Sequence, residues 1–313
     1  MNTPSRRRLY SAIVVASVFA LLGSWNCTSK KSVAGTTDGK LVVRFFDIGQ
    51  GDAELITLPD GENILIDAGD HGAPTVRYLK DIPVQNISIA VATHPHSDHI
   101  GEMRTALQQF SVKEFWDSGF PYSTATYQHM LDEIEQRHIP LKEVKAGETR
   151  TIGGATLEVL HPEEGSPIDD NPNNASIVIR LTYGKEKFLF AGDAELASWE
   201  QMISLHRTQL EANVLKAAHH GSSNGTTAAV LAAVMPQYVV ISCAKGNDYH
   251  HPHPKVMRLL GEAANHTKLF RTDLEGTITM ISDGNSIDVQ MEKECPPDML
   301  YKTGDEVAAM SVQ

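Results

Sequence analysis

Three histidines and an aspartate fall within the stretch Thr93-His94-Pro95-His96-Ser97-Asp98-His99. His94 and His96 are two apart, so in an extended backbone they face the same side. Asp98 continues that parity, and His99 comes in as the chain turns. Imidazole nitrogen and carboxylate oxygen together suit zinc, manganese or iron. A solvated loop that happens to be rich in histidine would explain this stretch alone, but further donors follow the same design.

Ile66-Asp67-Ala68-Gly69 puts a carboxylate at the end of an apolar run, before a small residue and a glycine. Such an aspartate can cap a turn and can also orient a ligand from behind. Phe188-Leu189-Phe190-Ala191-Gly192-Asp193 repeats the pattern. Asp193 could cap the helix that follows; beside the histidine cluster, a carboxylate bridging two metals is favoured. Val214-Leu215-Lys216-Ala217-Ala218-His219-His220-Gly221-Ser222 is a third apolar run ending in donors. One histidine can ligate while its neighbour orients, donates a proton or touches substrate. The sequence does not fix which; His220 is favoured as the ligand because Gly221 opens the loop after it.

These donors need strands that end together. Apolar runs predict strands at 41–47, 53–58, 63–67 and 87–92, with Asp60-Gly61 as a hairpin turn. A short helix near 74–80, helices over 99–110 and 124–138, and a strand at 112–116 follow. In the second half, strands are expected at 155–160, 176–182, 187–191, 214–218 and 238–242, with helices over 195–206, 226–234 and 254–264. Asp283-Gly284 turns a last hairpin, 277–281 with 287–291. Hairpins and strand–helix units mix in both halves, which implies an α/β fold of two packed sheets with helices outside, a four-layer αββα sandwich. The domain is placed at 40–292, with a frayed tail at 293–313.

The formal charge is −12 over 313 residues. An acidic surface does not attract nucleic acid by itself, but bound metal can reverse the sign locally. Cys27, Cys243 and Cys295 form neither a zinc ribbon nor a disulfide framework. Arg6, Arg7 and Arg8 precede an apolar run from Leu9 to Gly23, then Cys27. That is short for a spanning helix and suits a signal segment over 1–27. A lipoprotein acylated at Cys27 is expected; a cleaved signal and an uncleaved anchor are the alternatives. Each puts the domain outside the cytoplasm, in the bacterial envelope or periplasm. Residues 28–39 read as a tether.

Together these residues resemble the metallo-β-lactamase superfamily: His94-Pro95-His96-Ser97-Asp98-His99 is similar to its HxHxDH motif, and Asp67, Asp193 and His220 fall where its other motifs should. A narrower resemblance, to the β-lactamase-like domain of the ComEC/Rec2 competence proteins, rests on Asp47-Ile48-Gly49-Gln50-Gly51-Asp52, Ala218-His219-His220-Gly221-Ser222 and Asn247-Asp248-Tyr249-His250-His251-Pro252. The resemblance implies a hydrolase with two divalent metals, zinc or manganese. His94, His96 and Asp193 would hold one, and Asp98, His99, His220 and the shared Asp193 the other. It implies a catalytic set of Asp98, Asp67 and His219. Most members carry a further histidine before the bridging aspartate. Asn173-Asn174-Ala175-Ser176 has none, which leaves the first position one nitrogen short and its ion weakly held.

The expected substrates are phosphodiesters, in nucleic acid or in a phosphorylated surface glycan. A lactone, thioester or β-lactam hydrolase and a non-catalytic metal-stabilised binding module are the alternatives. Asn174, Ser176, Lys216, Ser222 and His251 are the candidate substrate contacts, with Lys245 as a further anion contact. The dense His250-His251-Pro252-His253 run fits a pocket rim, an opportunistic metal site or a loop leading into a helix.

Overall fold

The computed structural model describes Met1 and residues 38–82, 84–165 and 170–310. The signal segment, Cys27 and nearly all of the tether lie outside the described residues. No helix among the described residues is long and apolar enough to cross a membrane.

Two sheets stack face to face. The first runs, in spatial order, Ile287–Met291, Ile278–Ser282, Leu41–Phe45, Glu54–Thr57, Asn63–Ile66, Ile89–Val91, Phe115–Asp117 and Leu141–Glu143. The second runs Lys268–Arg271, Tyr238–Ile241, Val214–Lys216, Glu186–Phe190, Val178–Tyr183, Ala155–His161 and Thr149–Ile152. Their inner faces meet in one core that includes Phe45, Ile66, Val91, Ile179, Phe190 and Val214. Outside the first sheet, Leu55, Ala90 and Phe115 pack with Met103, Leu107, Met130 and Ile134 from helices Met103–Gln109 and Ala125–Gln136. Outside the second, Leu189, Leu215 and Val239 pack with Trp199, Val230 and Leu260 from helices Leu196–His206, Ala228–Val234 and Pro254–Glu262. The architecture is the expected four-layer αββα sandwich.

Each half contributes antiparallel strands and a parallel run. Asn63–Ile66, Ile89–Val91 and Phe115–Asp117 are parallel neighbours, and so are Glu186–Phe190, Val214–Lys216 and Tyr238–Ile241. Parallel strands must be covered on both faces, which is why these read as nearly unbroken apolar runs. It also leaves their carboxyl ends on one rim, the general location for ligands in such sheets.

Two expectations need correction. The helix expected over 99–110 is split into Ser97–Ile100 and Met103–Gln109. Gly101 packs so tightly on the earlier loop at Asp70-His71 that a Cβ there would stand 2.4 Å from the His71 nitrogen. The tail is not frayed as far as it is described: Pro297–Leu300 and Gly304–Met310 are helical, and Val307 is fully buried. The buried Arg271 guanidinium donates to the carbonyls of Leu300 and Lys302 and so fastens the tail to the second sheet.

Candidate metal centre

Four strand ends deliver the donors. Asp67 follows Asn63–Ile66, the histidine cluster follows Ile89–Val91, Asp193 follows Glu186–Phe190, and His219 and His220 follow Val214–Lys216. Gly51 allows the glycine-rich loop to lie on the cluster: a Cβ there would stand 2.1 Å from the Asp98 carbonyl oxygen, to which Asp52 N donates at 3.2 Å.

Asp193 is the centre of the arrangement. Its Oδ1 lies 3.3 Å from His99 Nε2 and 3.6 Å from His220 Nε2, and Asp98 Oδ2 lies 3.3 Å from the same His220 nitrogen. Asp98, His99, Asp193 and His220 can thus offer four ligand atoms within 4.8 Å of one another. Its Oδ2 faces the other way, 3.8 Å from His94 Nε2 and 3.7 Å from His219 Nε2. His96 Nδ1 reaches 3.1 Å from His94 Nε2 on that side.

The other nitrogen of most of these rings is occupied, which fixes the tautomer. Thr93 Oγ1 donates to Asp67 Oδ2 at 2.7 Å, so it accepts from His94 Nδ1 at 3.2 Å. His99 Nδ1 donates to Asp67 Oδ2 at 2.7 Å. His220 Nδ1 donates to the Ser242 carbonyl at 3.0 Å, with Asp52 Oδ1 at 3.2 Å. His99 and His220 therefore turn Nε2, the nitrogen a neutral imidazole offers a metal, toward Asp193, while His94 Nε2 faces both Asp193 and His96.

The electrostatics fit a cation. Burial opposes charge on Asp193, yet His220 and His99 hold its carboxyl well below the usual range. Burial likewise opposes charge on His99 and His220. Asp193 and Asp67 nevertheless push the first well above the ordinary histidine value, and Asp193 and Asp52 raise the second to about 10. His94, whose burial outweighs its carboxylates, is held low. Without a metal, the buried carboxylates draw protons onto the imidazoles; a divalent ion would take their place. His99 Nε2, His220 Nε2 and Asp193 Oδ1 are buried with no hydrogen-bond partner. Such orphaned atoms call for an ion, and the donor set fits a divalent metal.

A cavity of about 320 Å³ opens over this floor, lined among others by Gln50, Tyr122, Asn173, His219, Tyr249 and His251. Of the expected substrate contacts, only His251 lines it. Lys216 is a correction: it is fully buried beneath the site, with Nζ 2.7 Å from Asp52 Oδ2, and neutralises that carboxylate. Ser176 is also fully buried, and its Oγ accepts from Asp193 N at 3.1 Å. Asn174 accepts from Ser198 Oγ at 2.9 Å behind the wall, and Ser222 Oγ bonds Asn224. The His250–His253 run divides three ways. His251 faces the cavity, His250 pairs with Asp305 at 2.6 Å, and His253 caps helix Pro254–Glu262 by accepting from Lys255 N.

Sequence reasoning missed Asp52, Asn173 and Glu195. Glu195 Oε1 lies 3.1 Å from His219 Nδ1, and its two oxygens accept from Asn173 Nδ2 at 2.9 Å and Asn171 Nδ2 at 3.0 Å. Asp52 stood within the glycine-rich string, which carried no assigned role.

Comparison with known proteins agrees. The family model described as "Metallo-beta-lactamase superfamily" matches residues 47–245. ComE operon protein 3 of Bacillus subtilis is 30% identical over 75% of this chain and 32% of its own length. Recombination protein 2 of Haemophilus influenzae is 29% identical over 68% of this chain and 26% of its own. The chain thus spans about a third or less of these curated relatives. Among solved structures, CmlA, a diiron beta-hydroxylase from Streptomyces venezuelae, superposes with a TM-score of 0.50 at 17% identity, over 77% of this chain and 54% of that one. The metallo-beta-lactamase fold protein YhfI from Bacillus subtilis gives 0.50 at 13% identity, over 78% of this chain and all of that one. These two likenesses concern the fold alone, and a fold does not set a chemistry. By the family match and the curated relatives, the chain belongs to the metallo-β-lactamase superfamily and is related to the ComEC/Rec2 competence proteins.

Proposed function

We propose that the chain hydrolyses phosphodiesters, as a nuclease or as a phosphodiesterase on a phosphorylated surface polymer. The observation that carries this reading is Asp193, one buried carboxylate whose two oxygens face separate donor groups at the floor of an open cavity. His94, His96 and Asp193 would hold one divalent metal; Asp98, His99, Asp193 and His220 would hold the other. When bound, such a pair lowers the pKa of water and polarises a phosphoryl oxygen.

The chain's own residues prepare the site. Asp67 keeps the Nδ1 proton of His99, and the Ser242 carbonyl keeps that of His220, so both rings hold Nε2 inward. Asp67 is thus a positioning residue. Asp98, partly exposed, stands where the buried floor meets the cavity. Tyr122 and Tyr249 line the walls, and aromatic faces suit bases without regard to sequence. The names of the relatives, competence and recombination proteins, favour nucleic acid among phosphodiesters.

The test is turnover by protein loaded with Mn²⁺ or Zn²⁺. Bis-p-nitrophenyl phosphate or single-stranded DNA should be cleaved and nitrocefin left intact. Asp193→Asn should lower the phosphodiester rate on the order of 10³-fold or more, because several kcal/mol of charge stabilisation goes with the metals. Turnover of nitrocefin alone would replace this reading with acyl hydrolysis. No turnover at full metal occupancy would leave a binding module. We further propose that Cys27 is acylated and holds the domain at the membrane outside the cytoplasm. Cys27→Ser should then release the full chain from membranes, and unchanged partitioning would end that reading.

A further inference from the structure

We infer that His219 is itself a metal ligand. It would supply, to the position of His94 and His96, the nitrogen that the Asn173–Ser176 stretch lacks. The inference rests on the two-metal reading above and departs from the expectation that only one of the paired histidines ligates.

Distances come first. His219 Nε2 and His94 Nε2 approach the same oxygen, Asp193 Oδ2, at 3.7 and 3.8 Å. Ligands about 2.1 Å from a common tetrahedral ion stand roughly 3.4 Å apart, so both spacings are a few tenths of an ångström wider than a bound geometry, and this side is less compact than the group of Asp98, His99, Asp193 and His220. His220 instead faces Asp193 Oδ1, so the two neighbours serve opposite oxygens of one carboxylate.

The backbone is built for that division. His219 (φ 52°, ψ 48°) and His220 (φ 54°, ψ 27°) are both left-handed. That conformation costs roughly 1–2 kcal/mol per non-glycine residue, and such strain persists where the surroundings over-determine it. In an extended chain, consecutive side chains point to opposite faces. Here both rings turn into one site, with centroids 6.0 Å apart.

His219 also has a carboxylate behind it. Glu195 Oε1 lies 3.1 Å from its Nδ1, an ion-pair contact outside hydrogen-bond geometry, whereas Asp67 accepts a hydrogen bond from His99 Nδ1. Glu195 is held in turn by Asn173 and Asn171. The stretch that lacks the family histidine therefore anchors the carboxylate that orients its replacement.

The experiment is metal titration of the chelator-stripped full chain with Co²⁺, read by bound equivalents and by the visible ligand-field bands. Wild type should take up two equivalents. His219→Asn keeps a residue that tolerates the left-handed backbone, and it should hold one equivalent at concentrations that saturate wild type. Glu195→Gln, at a position about a sixth exposed, should weaken only the second equivalent, about 10- to 100-fold. The inference is overturned if wild type binds fewer than two equivalents. It is also overturned if both variants bind two with unchanged affinity and bands. Two equivalents with the expected losses, but no phosphodiester turnover, would sustain the ligand assignment while removing the proposed reaction.

Discussion

The two sides of Asp193 are built differently. On the Oδ1 side, His99 and His220 are buried, and behind them stand Asp67, Asp52 and Lys216, each about 1% exposed. On the Oδ2 side, His94 is buried too, but His96 is half-buried, and His219 and Glu195 keep about a fifth of their side chains in solvent. The closed side fixes its donors with charges inside the core, so its geometry is tied to folding. The open side fixes its donors at the cavity wall, so its geometry can respond to what enters.

The strongest way to break this contrast is Asp52→Asn. Lys216 would be left buried without its carboxylate, and such a loss costs about 3–5 kcal/mol. Urea denaturation should show it, and adding Lys216→Met in the same chain should restore most of it. On the open side, Glu195→Gln should change stability by about 1 kcal/mol at most, because its partner is partly solvated. Equal effects of the two single variants would erase the distinction.

Asp67→Asn is the next in size. It removes the acceptor of the His99 proton and should weaken the closed metal position about 10- to 100-fold. The open position should weaken less in the same titration, because Asp67 reaches it only through Thr93 Oγ1 and His94. Equal weakening of both would mean that the two sides rest on one support.

A smaller effect reports on dryness. Burial, then Asp273, raises the Cys243 thiol well above its ordinary value of 9.0. Folded protein keeps this proton where the unfolded chain loses it, so stability from this group falls as pH rises past 9. At pH 8, iodoacetamide should modify Cys295 and spare Cys243 until urea is added, as read by peptide mass mapping. Cys243 follows Ser242, whose carbonyl fixes His220. Labelling of Cys243 in folded protein would show that the closed side opens.

The strand-end donors were legible because each ends an apolar run, so chain direction and burial placed them together. His219 and His220 were legible as a pair but not as a division of labour, which depends on two left-handed residues that no pattern announces. Lys216 was misread because a lysine at a strand end resembles an anion contact. Its partner Asp52 lies 164 residues earlier and meets it only across the packed sheets. Glu195 and Asn173 escaped for the same reason: their role comes from mutual contact, and each alone is an ordinary polar residue. The folded tail was hidden because its anchor is one buried arginine on a distant strand.

That tail has a consequence for the cavity mouth. Gly304 packs so closely that a Cβ would stand 2.2 Å from the His251 carbonyl oxygen, and its nitrogen donates to Pro252 O at 3.2 Å. Asp305 pairs with His250. The loop that brings Tyr249 and His251 to the rim is thus braced from outside by helix Gly304–Met310, far along the chain from every metal donor. Losing that helix would remove the Gly304 packing on His251 and the Asp305–His250 pair at one stroke, so the frame of the cavity mouth is set by residues outside the sheets.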